Sequence, residues 1–118
     1  MTRHPWLPAL ALAVAAAAGS AHAADGAKTF QLQCKTCHGA KSSPMAPSLA
    51  GVAGRKIASL SDFAYSTGLK AKDGAWTDAN LDAYLAAPMK FAPGTRMTTG
   101  VVSAPDRTAV IGYLKTLK

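Results

Sequence analysis

Two thiols and one imidazole fall within five consecutive residues, Cys34, Cys37 and His38 in "QLQCKTCHGA". These are the only two cysteines of 118 residues, and His38 is the only histidine beyond position 22. Three chemistries use such a cluster. A closed structural zinc site takes four Cys or His ligands, commonly as two separated pairs. Only three such residues are on offer past position 23, and the adjacent Cys37 and His38 are badly placed to share one ion. A thioredoxin-like dithiol needs a βαβ setting, and no strand pattern surrounds this motif. A plain disulfide over three residues would be strained and would leave His38 idle. Cys-x-x-Cys-His is the attachment signature of a c-type haem. Two thiols at helical spacing add across the vinyl groups on one porphyrin edge. The next residue then holds its imidazole beneath the iron as an axial ligand.

The first 26 residues, "MTRHPWLPALALAVAAAAGSAHAADG", have the layout of a secretory signal. Arg3 gives a positive start, Trp6 to Ala18 is an apolar run interrupted only by Pro8, and Ala21-His22-Ala23 is a small-x-small triplet. About 13 apolar residues fall short of the ~20 that span a bilayer. The sequence thus predicts a cleaved signal peptide over residues 1–23, one domain over 24–118, and export to the periplasm. A domain this small buries a modest core and commonly needs a metal, cofactor or disulfide. Arg3 is the only charged side chain before position 24, so the domain keeps every acid, all six of them Asp, against twelve bases. That net positive charge suits acidic protein faces. No nucleic-acid-binding motif accompanies it.

The local patterns predict an all-α domain. Ala27, Phe30, Cys34 and Cys37 recur at helical steps over "DGAKTFQLQCKTC", with Gly39 as a left-handed stop. From Ala40 to about Phe63 the chain carries Pro44, Pro47, Gly51 and Gly54 with no sustained period. So long a loop in so small a domain implies something large to wrap around. In "WTDANLDAYLAAPM", Thr77 is the predicted N-cap and Pro88 the stop. In "SAPDRTAVIGYLKTLK", Ser103 and Asp106 form a pair resembling a capping box, ahead of an apolar stripe of Val110, Ile111, Leu114 and Leu117.

With one histidine in the domain, a second histidine ligand is closed to a monomer, and the soft candidates for a sixth ligand are Met45, Met89 and Met97. Met45 lies seven residues past His38, which keeps its segment on the histidine side. Met89 follows Pro88 at a helix end, where packing or surface exposure explains it. Met97, in the turn-rich "PGTRMTTG", can close over the other haem face and is the expected ligand.

Taken in order, Gly26 and Phe30 before "CKTCH", then "PSLAGVAGRK", "FAYST", "WTDANLDAYLAAP", "PGTRM" and "DRTAVIGYLKTL" resemble the mitochondrial-like class I cytochromes c over nearly all of the domain. The resemblance implies the small class I fold, in which terminal helices pack together and loops and short helices wrap one covalent haem c. It implies Cys34 and Cys37 as thioether anchors and His38 and Met97 as axial ligands. The Pro47 carbonyl would orient the His38 ring. Arg55, Tyr65 and Trp76 would hold or shield the propionates, and Tyr84 and Thr95 would lie near Met97. Phe30, Val110 and Tyr113 would join the terminal helices, with Gly26 allowing close approach. Four positions depart from the pattern: Ala46 for a usual Gly, Leu69 for a polar Asn, Thr98-Thr99 for a shielding aromatic in a stretch one residue shorter, and Met89 for a docking lysine.

The implied activity is one-electron transport by a soluble periplasmic monomer, not an enzyme. Lys35, Lys41, Lys70, Lys72, Lys90 and Arg96 would form a basic rim for weak, salt-sensitive docking to acidic faces of an oxidase or reductase. The competing readings are a haem enzyme or a gas or peroxide sensor with an open iron position, and an electron-transfer subunit of a larger redox enzyme.

Overall fold

The first and last helices set the architecture. In a computed structural model that describes Thr2 and residues 23–118, α1 spans Ala23–Gln33 and α5 spans Ala104–Leu114. They cross where Gly26 leaves room. A Cβ built on Gly26 would stand 2.1 Å from the Ala109 carbonyl oxygen and 2.9 Å from the Tyr113 Cβ. Only a residue without a side chain lets the two backbones approach this closely. Beside the crossing, the rings of Phe30 and Tyr113 lie 5.1 Å apart at 53°, a tilted pair of the kind aromatic quadrupoles favour.

Three helices lie between: α2, Thr67–Lys70; α3, Asp78–Ala86; and α4, Pro88–Phe91. The fold is all-α as expected, and among the described residues the only β pairing is an isolated antiparallel bridge between Lys56 and Ala75. α3 starts where the sequence places it, since the Thr77 side chain accepts from the Asn80 N–H at 3.1 Å. α5 starts likewise, with the Ser103 hydroxyl accepting from the Asp106 N–H at 3.4 Å. Pro88 ends α3 and also opens α4 as an N-terminal proline, the one helical position where its missing N–H costs nothing.

Two local expectations fail. The helix predicted through Cys37 ends at Gln33. The N–H groups of Cys34 and Lys35 both donate to the Phe30 carbonyl, and those of Cys37 and His38 both donate to that of Cys34. Shared acceptors break the regular ladder, so the motif is a run of turns hung from the helix. Gly39 is not a left-handed stop: the positive-φ glycines are Gly51, Gly54, Gly74 and Gly94, and Ala58 is the one non-glycine with positive φ, at 57°.

The buried core joins Val52, Ile57, Trp76, Leu81, Tyr84, Leu85, Val101, Val110, Ile111 and Leu114. α1, α3 and α5 and the loop from 40 to 66 surround it. No helix among the described residues is long and apolar enough to cross a membrane. The predicted signal peptide falls outside the described residues, except for Thr2 and Ala23.

Candidate functional site

The core is not solid. It contains a cavity of ≈ 290 Å³ whose lining residues run from Gln33 to Leu114. All ten residues singled out from the sequence line it: Cys34, Cys37, His38, Pro47, Arg55, Tyr65, Trp76, Tyr84, Thr95 and Met97. Leu81, Leu85, Val110 and Leu114 give it apolar walls and belong to the core at the same time. A pocket dominated by apolar surface with a few convergent polar groups is the usual form of a ligand or cofactor site.

The motif residues form one part of the lining. Cys34 and Cys37 carry free thiols. Burial pushes the Cys34 thiol up from its ordinary pKa, with no opposing cause. A redox-active dithiol needs the reverse, a thiol lowered by positive charge or a helix N-terminus. His38 Nδ1 lies 2.9 Å from the Pro47 carbonyl oxygen. That carbonyl can only accept, so Nδ1 is the protonated nitrogen, and the neutral ring in this tautomer has its free lone pair on Nε2. An imidazole fixed by its second nitrogen is what an axial metal ligand requires.

Another part of the lining comes from the segment after α4. The Tyr84 and Thr95 hydroxyls are 2.7 Å apart and buried, and Thr95 Oγ1 also accepts from the Met97 N–H at 3.4 Å. Burial raises the Tyr84 phenol pKa, and the bond to Thr95 partly offsets the rise. Met97 is half-buried on the cavity. Met45 also lines it but is 70 % exposed, in the segment that presents Pro47 to His38. Met89 is 59 % exposed and does not line the cavity. Leu69, from α2, adds an apolar wall.

Arg55 supplies the test of what fits. Its two terminal nitrogens donate to the Ala50 and Ser48 carbonyls at 3.0 and 3.2 Å. Its Nε is buried with no partner, the only such side-chain atom among the described residues. A buried cationic N–H without an acceptor is costly. A carboxylate on a ligand in the cavity is the partner it lacks, and a haem propionate is such a carboxylate. The Tyr65 hydroxyl accepts from the Leu60 N–H at 3.2 Å, which leaves its own proton to donate. Two unpaired thiols, an oriented imidazole, a thioether and an anion-seeking guanidinium on one apolar cavity match the needs of a c-type haem.

A family model described as cytochrome c matches residues 23–118. The chain belongs to the cytochrome c family. It is 43 % identical over 94 residues to a cytochrome c-type cyt cy of Rhodobacter capsulatus, a match covering 78 % of the chain and 47 % of that protein. The chain thus spans about half the length of that relative. It is 40 % identical over 97 residues to a cytochrome c of Tetrahymena pyriformis, covering 80 % of the chain and 88 % of the relative. Among solved structures, cytochrome cH from Methylobacterium extorquens superposes with a TM-score of 0.74 at 37 % identity, covering 80 % of the chain and 98 % of that structure. As a cytochrome c, the chain carries one covalently attached haem c and belongs with electron carriers rather than enzymes.

Sequence reasoning missed part of this family site. Phe63 lines the cavity, and so does Arg96, which the sequence reading took only as a rim charge. The second role of the α3 and α5 core leucines was also missed. A helical stripe does not say which of its residues meet protein and which meet a cofactor.

Proposed function

We propose that the chain is a periplasmic one-electron shuttle, with the haem anchored by Cys34 and Cys37 and its iron ligated by His38 and Met97. One observation carries this reading: the cysteine–histidine motif and Met97, singled out by their own chemistry, and the six residues that the family resemblance adds between positions 47 and 95 all line a single cavity. Bound there, the haem supplies a one-electron couple at its iron. Everything else falls to the protein. Pro47 holds the His38 ring so that Nε2 is available. Thr95, fixed by Tyr84, steadies the Met97 backbone. Arg55, Tyr65 and Trp76 neutralise and shield the propionates. The leucine and valine walls would shield a bound haem from water, which would keep the reorganisation of a one-electron change small. His/Met ligation raises the potential relative to anionic ligand sets.

Export through a signal peptide over residues 1–23 delivers the chain to the compartment where such haem attachment occurs. The positive domain charge favours brief, salt-sensitive encounters with acidic faces of an oxidase or reductase. An intact mass of the exported protein should show loss of residues 1–23 and gain of one haem. The ferric protein should show the weak near-red absorption of a methionine–iron bond, and Met97→Ala should abolish it. If the band persists in that variant, another residue is the ligand. If both cysteines still react with an alkylating reagent, the attachment proposal fails.

A further inference from the structure

The loop from 59 to 66 is tied at two places, one to the segment that carries Pro47 and one to the segment that carries Met97. On the histidine side, Ser42 Oγ donates to Asp62 Oδ1 at 2.9 Å and accepts from the Ser48 N–H at 2.9 Å. Ser42 thereby links this loop to the segment that carries Pro47. On the methionine side, Arg96, the residue before Met97, donates from Nη2 to the Ala64 carbonyl. Its guanidinium carbon also lies 5.5 Å from the Phe63 ring centroid. Phe63 meets Tyr65 edge-on at 5.0 Å and 78°. Phe63, Tyr65, Arg96 and Met97 all line the cavity. Beyond Met97 the chain is held again at Val101, whose N–H donates to the Leu85 carbonyl at 2.7 Å. The exposed Thr98 and Thr99 lie between. The Met97 turn therefore has a buried anchor in Thr95, a downstream anchor in Val101 and one anchor at the cavity mouth, Arg96.

We propose that Arg96 is a positioning residue for the sixth ligand: it clasps the Met97 turn to the 59–66 loop and keeps the thioether on the iron. This rests on Met97 being that ligand. Arginine suits the task because its planar fork can donate to a carbonyl while its face lies over an aromatic ring. The clasp acts on the equilibrium between a closed turn and one opened far enough to admit another ligand. One charge-assisted bond and one cation–π contact at an exposed position together shift that equilibrium about tenfold, equivalent to ~1.4 kcal/mol.

The test is a titration of ferric holoprotein with imidazole, followed by loss of the near-red band, with urea unfolding run in parallel. Arg96→Ala should bind imidazole about tenfold more tightly than the native protein. Arg96→Lys, which keeps a donor and a cation, should recover most of the difference. Ser42→Ala, which cuts the tie at the other end of the same loop, should stay within about twofold of native. If Arg96→Ala binds imidazole no more tightly than native, the clasp is refuted. It is refuted equally if Ser42→Ala matches Arg96→Ala, since general loosening of the loop then explains both. If Arg96→Ala yields no holoprotein, Arg96→Gln takes its place, with the same tightening expected and the same outcomes refuting. Failure of the ligand assignment reads differently: either native protein would lack the band or Met97→Ala would keep it, and Met97→Ala would bind imidazole no better than native.

Discussion

Placing a single methyl group on Gly26 tests how the terminal helices are held. Its Cβ would sit 2.1 Å from the Ala109 carbonyl oxygen and 2.6 Å from the carbonyl carbon, where ordinary contact begins near 3.4 Å. These atoms are helix backbone and cannot rotate away. Relief along that line needs α1 and α5 to part by roughly 1.3 Å, from the two distances just given. Such a shift loosens the Phe30–Tyr113 pair beside the crossing. Overpacking costs about 1–3 kcal/mol where side chains can adjust. With backbone on both sides we expect about 3 kcal/mol, a fall in Tm of roughly 12–24 °C for a domain of this size. Gly112→Ala in α5 is the matched control, because nothing lies within 4 Å of its built Cβ. That change should stabilise by about 0.5–1 kcal/mol, since alanine restricts the unfolded chain and favours helix. Thermal and urea unfolding of ferric holoprotein by far-ultraviolet circular dichroism measures both. If Gly26→Ala loses less than about 1 kcal/mol, or Gly112→Ala loses as much as Gly26→Ala, close backbone approach is not what makes Gly26 necessary.

Other expectations follow from single sites. Ala58 holds φ at 57°, so Ala58→Gly should raise the urea midpoint by the equivalent of about 1 kcal/mol; no gain would mean that the left-handed strain is relieved by packing. Tyr84 has its phenol pKa raised by burial, so the native state holds that proton more tightly than the unfolded chain. The associated stability is intact below about pH 10 and is lost as pH climbs through the raised native value. Tyr84→Phe should flatten the stability profile above that pH, at a neutral-pH cost of about 1 kcal/mol from the lost bond to Thr95. Arg107 pairs with Asp82 at 2.8 Å and donates to the Val101 and Val102 carbonyls at 3.0 and 2.8 Å, with its side chain only 14 % exposed. Arg107→Ala should cost about 2 kcal/mol. Lys115→Ala, breaking the exposed pair with Asp78, should cost less than about 0.5 kcal/mol. Urea midpoints of the two variants decide between them.

What the sequence revealed and what it hid differ in range. Thr77 and Ser103 are legible as caps because a cap is a bond between a side chain and a backbone N–H three residues away. The motif cysteines and His38 are legible because their chemistry needs fixed spacing. α2 and α4, four residues each, are not. Helices so short draw little from propensity and exist because their neighbours pack against them. The end of α1 was misplaced for a related reason: the apolar period runs on through Cys37 while the hydrogen bonds do not. Arg96, Arg107 and the orphaned nitrogen of Arg55 look like any surface charge in the sequence. Arg96 and Arg107 reach backbone carbonyls, which every residue has, and the Arg55 nitrogen reaches no protein atom, so no residue type marks them.

The cavity at the centre of the core has a consequence for how the protein is made. At about 24 cal/mol per Å³, leaving ≈ 290 Å³ unfilled would cost on the order of 7 kcal/mol, comparable to the whole stability of a small domain. Filling the cavity is therefore expected to be coupled to folding, since whatever binds the folded chain there adds to its stability. A chain that lacks its prosthetic group should accordingly unfold at a much lower urea concentration than the haem-loaded protein.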